Sequence, residues 1–232
     1  MVVLATKCYV EGDARERALR SLGDQLRNEL DELEIEFDVG VRRDQFVSVT
    51  LEGEDAPVAR NLLSDQWGEV TDHFEAGETY VGTLESWDER GFVLDAGEEI
   101  RVQSSEIGLG PGRPSQIRER FGLVQHLPMR FVYRGGGDDA ADPVDRPHRL
   151  ADAERDRLFE WTRGDGRVNV NSATRGEVRA TVNRAGHARD IVTVERLGLL
   201  EQSIICKPGT DPPGLLAAIG QYLPAEIRCV VP

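Results

Sequence analysis

Arginine is the residue type with the clearest chemical potential in this 232-residue chain, and its charge is least compensated in one segment. Residues 101–134 carry six arginines against two acidic residues, a net charge of +4, whereas residues 1–100 carry 9 basic and 25 acidic side chains. Guanidinium groups bind phosphate through paired hydrogen bonds, and a basic segment on an acidic background is typical of a nucleic-acid-binding surface. The alternative is that these arginines form exposed ion pairs with nearby acidic residues, and such pairs contribute little to stability. The six are Arg101, Arg113, Arg118, Arg120, Arg130 and Arg134.

Residues of the kinds used in catalysis are present without a catalytic spacing. The four histidines have no second histidine or carboxylate at metal-ligand spacing, and the three cysteines form no C-x-x-C pair. Residues 207–210, Lys-Pro-Gly-Thr before a predicted helix, could hold a phosphate on free backbone N–H groups, but they lack the P-loop pattern. We therefore expect a protein that is not an enzyme, with no catalytic residue, metal or cofactor. An enzyme with a phosphate-bearing ligand at residues 207–210 is a further alternative.

The overall composition indicates a habitat and not an activity. The chain has 26 arginines but only two lysines, and its net charge is −14. In ordinary buffer such a charge repels nucleic acid and strains the fold, whereas in molar salt the Debye length falls to about 3 Å and carboxylates mainly keep the surface hydrated. No window approaches the roughly 18 apolar residues of a membrane span, and the N-terminal apolar run is too short for a signal peptide. We expect a cytoplasmic protein, without membrane contact, in a salt-loaded cell.

The elements that position these side chains are predicted to form an α+β chain of three units. In the first, residues 1–75, the β-branched and apolar side chains of residues 2–10 predict a strand. Residues 12–33 place leucines at helical spacing and predict an amphipathic helix. Alternating apolar residues then predict two strands across residues 35–51, and residues 56–67 predict a second helix. This β-α-β-β-α order resembles much of a ferredoxin-like or KH-like α/β sandwich, although no Gly-x-x-Gly loop supports a working KH site.

The second unit, residues 76–134, has short predicted strands at tight spacing, as in a small β-barrel. Three motifs give it a recognisable frame. They are Tyr80-Val81-Gly82-Thr83-Leu84, Gly91-Phe92-Val93-Leu94-Asp95 and Ser104-Ser105-Glu106-Ile107-Gly108. This frame resembles the S-one-type OB fold, a barrel that binds RNA.

The resemblance implies a binding face on this barrel. It makes Phe92 the candidate for stacking on a base and Arg101 its nearest phosphate partner, and Trp87 is a second candidate platform. Acidic residues such as Asp88 and Glu98 crowd the same face and would oppose phosphate binding at low salt. Binding at high salt would therefore rely on stacking, which contributes about 1 to 3 kcal/mol per base.

The remaining sequence is predicted to form a linker and a third unit. Residues 135–147 combine glycine, acid and proline, the composition of a flexible linker. Residues 148–232 are predicted to form a small α+β domain. Within it, residues 189–197 carry β-branched side chains at a spacing that is also helical. If they are helical, they form a helix-turn-helix with the predicted helix that ends at Gly186.

A second resemblance covers nearly the whole chain. The phrases Glu195-Arg196-Leu197-Gly198-Leu199-Leu200-Glu201-Gln202-Ser203 and Lys207-Pro208-Gly209-Thr210-Asp211 are similar to those of a conserved haloarchaeal protein family. That similarity implies the saline habitat and brings no activity with it.

Taken together, these features favour a non-enzymatic RNA-binding or ribosome-associated accessory factor of a halophilic archaeon. The alternative is a transcription-associated factor whose C-terminal unit contacts DNA or a protein of the transcription or translation machinery. The predicted nucleic-acid-binding residues are Phe92, Trp87, Arg101, Arg113, Arg118, Arg120 and Arg130.

Overall fold

The computed structural model describes residues 1–135 and 147–232, so nearly all of the predicted linker lies outside the described residues. The described chain forms three antiparallel sheets, and each sheet belongs to its own apolar core. This is the α+β class that the sequence predicts. None of the described helices has the length and apolar character needed to cross a membrane.

The N-terminal domain has the predicted β-α-β-β-α order. Its elements are β1 (Val2–Lys7), α1 (Gly12–Glu29), β2 (Ile35–Val41), β3 (Phe46–Gly53) and α2 (Ala56–Trp67). The strands pair antiparallel in the order β1-β3-β2, which leaves β1 and β2 parallel on either side of β3, a split β-α-β arrangement. After α2 the backbone returns beside β1 as a rudimentary fourth strand, where Val70 N donates to Val3 O at 2.8 Å.

Both helices of this domain bury a stripe of residues that recurs every four positions. Helix α1 buries Leu22 and Leu26, and helix α2 buries Leu63 and Trp67. Residues four apart lie on one helix face, so each helix presents a single apolar stripe to the sheet. All four side chains therefore join one core with the inner face of β1.

The central domain is built on a strongly curled sheet. Its elements are β4 (Thr79–Asp88), β5 (Gly91–Asp95), β6 (Glu99–Gln103), a 3₁₀ turn (Ser104–Glu106), α3 (Pro114–Arg120), β7 (Pro128–Val132), β8 (Arg149–Leu150) and α4 (Asp152–Trp161). The strands pair antiparallel in the order β6-β5-β4-β7-β8. An isolated parallel bridge between Val102 and His148 brings the two ends of this order together. The sheet is therefore a curled half-barrel around a core that contains Phe92 and Phe131.

The central core extends beyond the predicted unit of residues 76–134. Leu150 of β8 and Leu158 and Trp161 of α4 are buried in it, although the sequence prediction assigns them to the third unit. A strand of two residues is too short to show a period, and one apolar helix face does not reveal which core it covers. Sequence patterning therefore finds helix α4 but not the domain to which it belongs.

The C-terminal domain repeats the plan of the N-terminal domain. Its elements are β9 (Arg167–Val170), α5 (Arg175–Arg184), β10 (Ile191–Arg196), β11 (Gln202–Cys206), α6 (Pro212–Gly220) and β12 (Ile227–Val230). The antiparallel order β10-β11-β9-β12 places the third strand of the domain between the first and the second, as in the N-terminal sheet. Here the fourth strand is complete and pairs with β9 along four residues.

The predicted helix-turn-helix is wrong. Residues 191–196 form strand β10, which pairs with β11, so the element that follows α5 is a strand and not a second helix. The helical spacing of Ile191, Val194 and Leu197 is a coincidence of three positions. The β-branched side chains at Ile191 and Val194 fit a pleated surface better, and a partner strand is available nearby to satisfy their backbone.

The turn between β10 and β11, residues 197–201, joins the first and last domains. Leu199 and Leu200 are buried in the core of the N-terminal domain, and Leu199 N donates to Thr6 Oγ1 at 2.9 Å. A Cβ at Gly198 would lie 2.2 Å from Glu201 Oε2 and 3.0 Å from Pro128, so a larger residue would force both neighbours to shift where the turn meets the central domain. This turn, the joint turn, thus touches all three domains.

Two buried cations, Lys7 and Arg118, connect the central domain to its neighbours through three ion pairs. Lys7 at the end of β1 is buried and donates to Glu85 at 2.9 Å and to Asp95 at 2.6 Å. On the other side, Arg118 is buried and pairs with Glu226 of the C-terminal domain, whose second oxygen accepts from the backbone N–H of residue 125 at 2.8 Å. Buried charges persist only when they are paired in this way.

We expect Lys7→Met to lower the free energy of unfolding by about 2 kcal/mol, because two carboxylates would be left at a buried joint without their cation. Urea denaturation at a fixed KCl concentration measures this change. Arg27→Met is the matched control, since it removes an exposed pair with Asp24 and should cost less than about 0.5 kcal/mol. Equal losses in the two variants would show that the Lys7 pairs do not hold the joint.

Candidate functional site

A cleft of about 560 Å³ opens where the three domains meet. Its walls come from α2 and the residues that follow it, from β4 and β7, from α4, and from the end of β10. Four lining residues are arginines and two are acidic, so arginines outnumber acids in the lining although the net charge of the protein is −14; Arg60 is paired with Glu69. The arginines are Arg60, Arg130, Arg157 and Arg196, and the acids are Asp65 and Glu69.

Arg196, the last residue of β10, is held by an aromatic ring and not by a close carboxylate. Its guanidinium carbon lies 4.1 Å from the centre of the Trp67 ring, and its nearest carboxylate oxygen, on Glu29, is 3.9 Å away. Burial lowers the pKa of Arg196, and Glu29 offsets part of that effect. The buried Trp67 Nε1 has no hydrogen-bond partner in the described part of the chain. The indole N–H of Trp67 therefore lacks an acceptor there, and the guanidinium of Arg196 has only the long contact with Glu29.

Arg130 and Arg157 share one carboxylate at the opposite wall. Glu154 is fully buried and pairs with Arg157, while its other oxygen lies 3.7 Å from Arg130. Two guanidinium groups against one carboxylate leave a positive charge in excess. Nearly half of the Arg130 side chain is exposed, so that excess faces the cleft opening and solvent.

A group of partly exposed aromatic rings adjoins the cleft. Tyr80 lines the cleft and packs against Phe74, with ring centres 4.8 Å apart. Phe74 stacks on Tyr133 at 5.0 Å, and Tyr133 stacks on His148 at 4.7 Å. We call Phe74, Tyr80, Tyr133 and His148 the aromatic stack. It lies where β4 begins and β7 ends, because Thr79 pairs with Val132.

A buried carboxyl group stands behind the cleft wall. Tyr9 Oη donates to Glu201 Oε1 at 2.6 Å and accepts from the backbone N–H of Ser172 at 2.9 Å. Burial raises the pKa of Glu201 to about 8, and its Oε2 has no hydrogen-bond partner among the described residues. Burial also raises the pKa of Tyr9. The joint turn is thus anchored by a carboxyl group that resists ionisation.

The pKa of Glu85, a carboxylate in the same region, is shifted in the opposite direction from that of Glu201. Burial alone would raise the pKa of Glu85, but hydrogen bonds from His126, Thr83 and Lys7 outweigh it and lower that pKa to about 2. The Tyr9 ring lies 3.9 Å from the ring of His126. His126 and Ser172 both have positive φ, 65° and 59°, which non-glycine residues rarely adopt. The contacts between domains are tight enough to hold these backbone conformations.

The predicted stacking role of Phe92 is not supported by its position. Its side chain is fully buried in the central core, so no face is open to a base. Trp87 is partly buried, and the guanidinium carbon of Arg118 lies 3.5 Å from its ring centre. Successive side chains of a strand point to opposite faces of the sheet, and the sequence of this strand does not show which face is buried. In the structure Phe92 lies on the buried face.

The predicted arginines do not converge on one surface. Arg101 pairs with Asp88 at 3.1 Å, Arg113 lies 3.8 Å from Glu89, and Arg118 pairs with Glu226. Arg120 donates to the backbone carbonyl oxygens of Leu109 and Pro111. Arg134 pairs with Glu106 at 3.2 Å. Of the seven predicted binding residues, only Arg130 lines the cleft.

The segment 207–210 does not offer an open phosphate cradle. Helix α6 begins after it, and the Asp211 side chain already accepts from the backbone N–H of Gly214 at 3.1 Å. Pro212 and Pro213 occupy the first helical positions and have no N–H to donate. A carboxylate at this helix end repels a phosphate, so the geometry does not favour the enzyme alternative.

Most residues of the cleft are not among those predicted from the sequence. Arg60, Trp67, Tyr80, Arg157 and Arg196 come from all three domains and share no motif. Their only common signal is residue type, arginine or aromatic, in a chain that has 26 arginines. Tertiary packing alone brings them together.

Comparison with protein families accounts for almost the whole chain. Residues 1–73 match the DUF2110 N-terminal domain, residues 74–162 match the DUF2110 central domain, and residues 165–231 match the DUF2110 C-terminal domain. The central match contains β8 and α4, in agreement with their burial in the central core. A comparison with curated proteins found no match.

We expect Glu201→Gln to flatten the pH dependence of stability. The pKa of Glu201 in the folded protein is about 8, above the roughly 4.3 of an exposed glutamate, so its contribution is complete below that lower value and is lost as the pH rises to about 8. The wild-type chain should lose up to about 1.4 kcal/mol per pH unit in this window relative to the variant. Urea denaturation at several pH values and one KCl concentration measures the slopes.

Glu195→Gln is the control for this pH experiment, because half of the Glu195 side chain is exposed on the same β-hairpin. It should keep the wild-type slope. If Glu201→Gln also keeps that slope, Glu201 is ionised in the folded protein and our assignment of its charge state is wrong.

Proposed function

This chain belongs to the DUF2110 family, and we propose that it is an RNA-binding or ribosome-associated accessory factor of a halophilic archaeon that acts without catalysis. In this proposal single-stranded RNA lies in the cleft between the domains, with its phosphates on the cleft arginines and a base against the aromatic stack. The acidic, lysine-poor composition supports the halophilic and cytoplasmic setting.

The observation that carries the proposal is the arginine-lined cleft on an acidic protein. A net charge of −14 repels a polyanion from the surface as a whole, so RNA can approach only where positive charge is locally in excess. Arg130 provides that excess, since it shares the single carboxylate of Glu154 with Arg157, and Arg196 adds a guanidinium whose nearest carboxylate oxygen, on Glu29, is beyond hydrogen-bond distance at 3.9 Å. Arginine also suits this role because its planar fork matches phosphate and stacks on rings and bases.

The strand plan of the central domain supports an OB-type barrel. Its first strand, β4, pairs with the second and the fourth, and helix α3 lies between the third and the fourth. The fifth strand returns parallel to the third through the bridge between Val102 and His148. Five strands in such a Greek-key order form the OB barrel, which commonly binds oligonucleotides.

The aromatic stack supplies the second half of the recognition. Tyr80 and Phe74 are partly exposed and adjoin the arginines, whereas Phe92 is in the core. Proteins that bind single strands combine a positive groove with rings on which bases stack, each stacked base contributing about 1 to 3 kcal/mol. At high salt the phosphate contacts weaken and the rings maintain binding. We therefore propose that Tyr80, and not Phe92, stacks on a base of the RNA.

We expect Arg130→Gln to weaken the binding of a single-stranded RNA of about 12 nucleotides five- to tenfold, or about 1 to 1.4 kcal/mol. The variant removes an exposed cleft charge and leaves Arg157 to neutralise Glu154, so the fold should persist. Fluorescence anisotropy at KCl concentrations from about 0.5 to 2 M measures the affinity and its salt dependence.

Arg163→Gln is the charge-matched control and should leave the RNA affinity unchanged, because Arg163 is exposed after α4, pairs with Glu160 and does not line the cleft. The proposal fails if the wild-type chain binds no RNA at any of these salt concentrations, or if Arg130→Gln binds as tightly as the wild type. An RNase-resistant protein partner in that case would favour the interaction factor as the alternative.

A further inference from the structure

We propose that the bound RNA extends past Arg196 out of the cleft and onto the exposed arginines of helix α5, where Arg175 and Arg179 hold two further phosphates. This inference rests on the proposed RNA-binding function and makes it more specific. It identifies the ligand as a single strand of several nucleotides and excludes a free nucleotide or phosphate as the main occupant.

A second hollow continues the cleft on the far side of Arg196. It has a volume of about 530 Å³ and lies between α1 of the N-terminal domain and the C-terminal domain. Arg196 lines both the cleft and this hollow, and Arg175 lines the hollow. A chain that contacts Arg196 from the cleft therefore meets Arg175 next.

The arginines of α5 are exposed and without acidic partners. Arg175 and Arg179 are four residues apart, so they lie on one face of the helix. Within the described ranges, neither has a carboxylate oxygen within 4.0 Å. Two arginines of the neighbouring helix α1 differ in this respect: Arg17 pairs with Glu177 and Arg27 with Asp24.

The cations at the hollow repel one another. Arg175 is close enough to Arg196 that its charge, together with burial, lowers the pKa of Arg196. A phosphate between the two guanidinium groups would remove that repulsion. The phosphodiester backbone supplies such anions at regular intervals, whereas a free phosphate supplies only one.

The acids of the hollow are already engaged. Glu29 accepts hydrogen bonds from Gln25 and Gln66, and Asp24 pairs with Arg27. Their charges weaken the attraction for a phosphate without blocking the two arginines. The path therefore depends on Arg175 and Arg179 together, and the test removes both.

The test compares a short and a long single-stranded RNA, oligouridines of about 4 and 12 nucleotides, on full-length protein. We expect Arg175→Gln with Arg179→Gln to weaken binding of the longer RNA about tenfold and to leave the shorter one unchanged, because the shorter strand fills only the cleft. Arg130→Gln should weaken both. Inorganic phosphate at millimolar concentration should not displace the longer RNA.

The matched control is Arg184→Gln with Arg189→Gln, which removes the same charge from the far end of α5 and the loop that follows it. It should keep the wild-type affinity for both RNAs, and thermal unfolding should confirm that both double variants are folded. The extended path is wrong if the Arg175 and Arg179 double variant binds the longer RNA as tightly as the wild type while Arg130→Gln still weakens it. If Arg130→Gln changes neither affinity, the proposed function itself fails.

Discussion

The insertion of the joint turn into the N-terminal core is the contact on which the rest of the structure depends. Leu199 and Leu200 come from the last domain but are buried in the first, so the two ends of the chain share one apolar core. Burying two leucine side chains contributes about 3 to 6 kcal/mol, comparable to much of the net stability of a small domain. Because Arg196 immediately precedes this turn, the same contact places its guanidinium on Trp67 and forms one wall of the cleft.

The two end domains share one topology but differ in their fourth strand. Both have the split β-α-β plan, but the C-terminal sheet has a complete fourth strand, whereas the N-terminal sheet has only the short pairing around residue 69. In the N-terminal domain all six residues of β1 are buried, Val2 and Leu4 in the core of that domain, and the strand also contacts β4 of the central domain. Its stability is therefore tied to that of its neighbour, and Lys7 forms the charged part of that contact.

Charge pairing separates structural arginines from those available to a ligand. Most described arginines have a carboxylate within 4.0 Å, and in these the positive charge is neutralised where it stands. The arginines of α5 are exceptions, since none of them has such a partner among the described residues, and the guanidinium of Arg196 lies on the Trp67 ring with only a long contact, 3.9 Å, to Glu29. In an acidic protein such local exceptions matter more than the number of arginines, because the average field opposes any anion.

The sequence by itself determined the local elements and the class. Periodicity found the helices and strands of the N-terminal domain, and the predicted elements indicated the α+β character, because burial of one face imposes a period of 2 or 3.6 on the residues of that element. It failed at residues 191–196, where both periods fit and only the partner strand β11 decides. It also failed at Phe92 and at Leu150, since local patterning does not reveal which neighbour covers a side chain. The cleft was decided by tertiary structure alone: its arginines and rings are up to 136 positions apart in the chain, and only the packing of three domains around residues 197–201 brings them together.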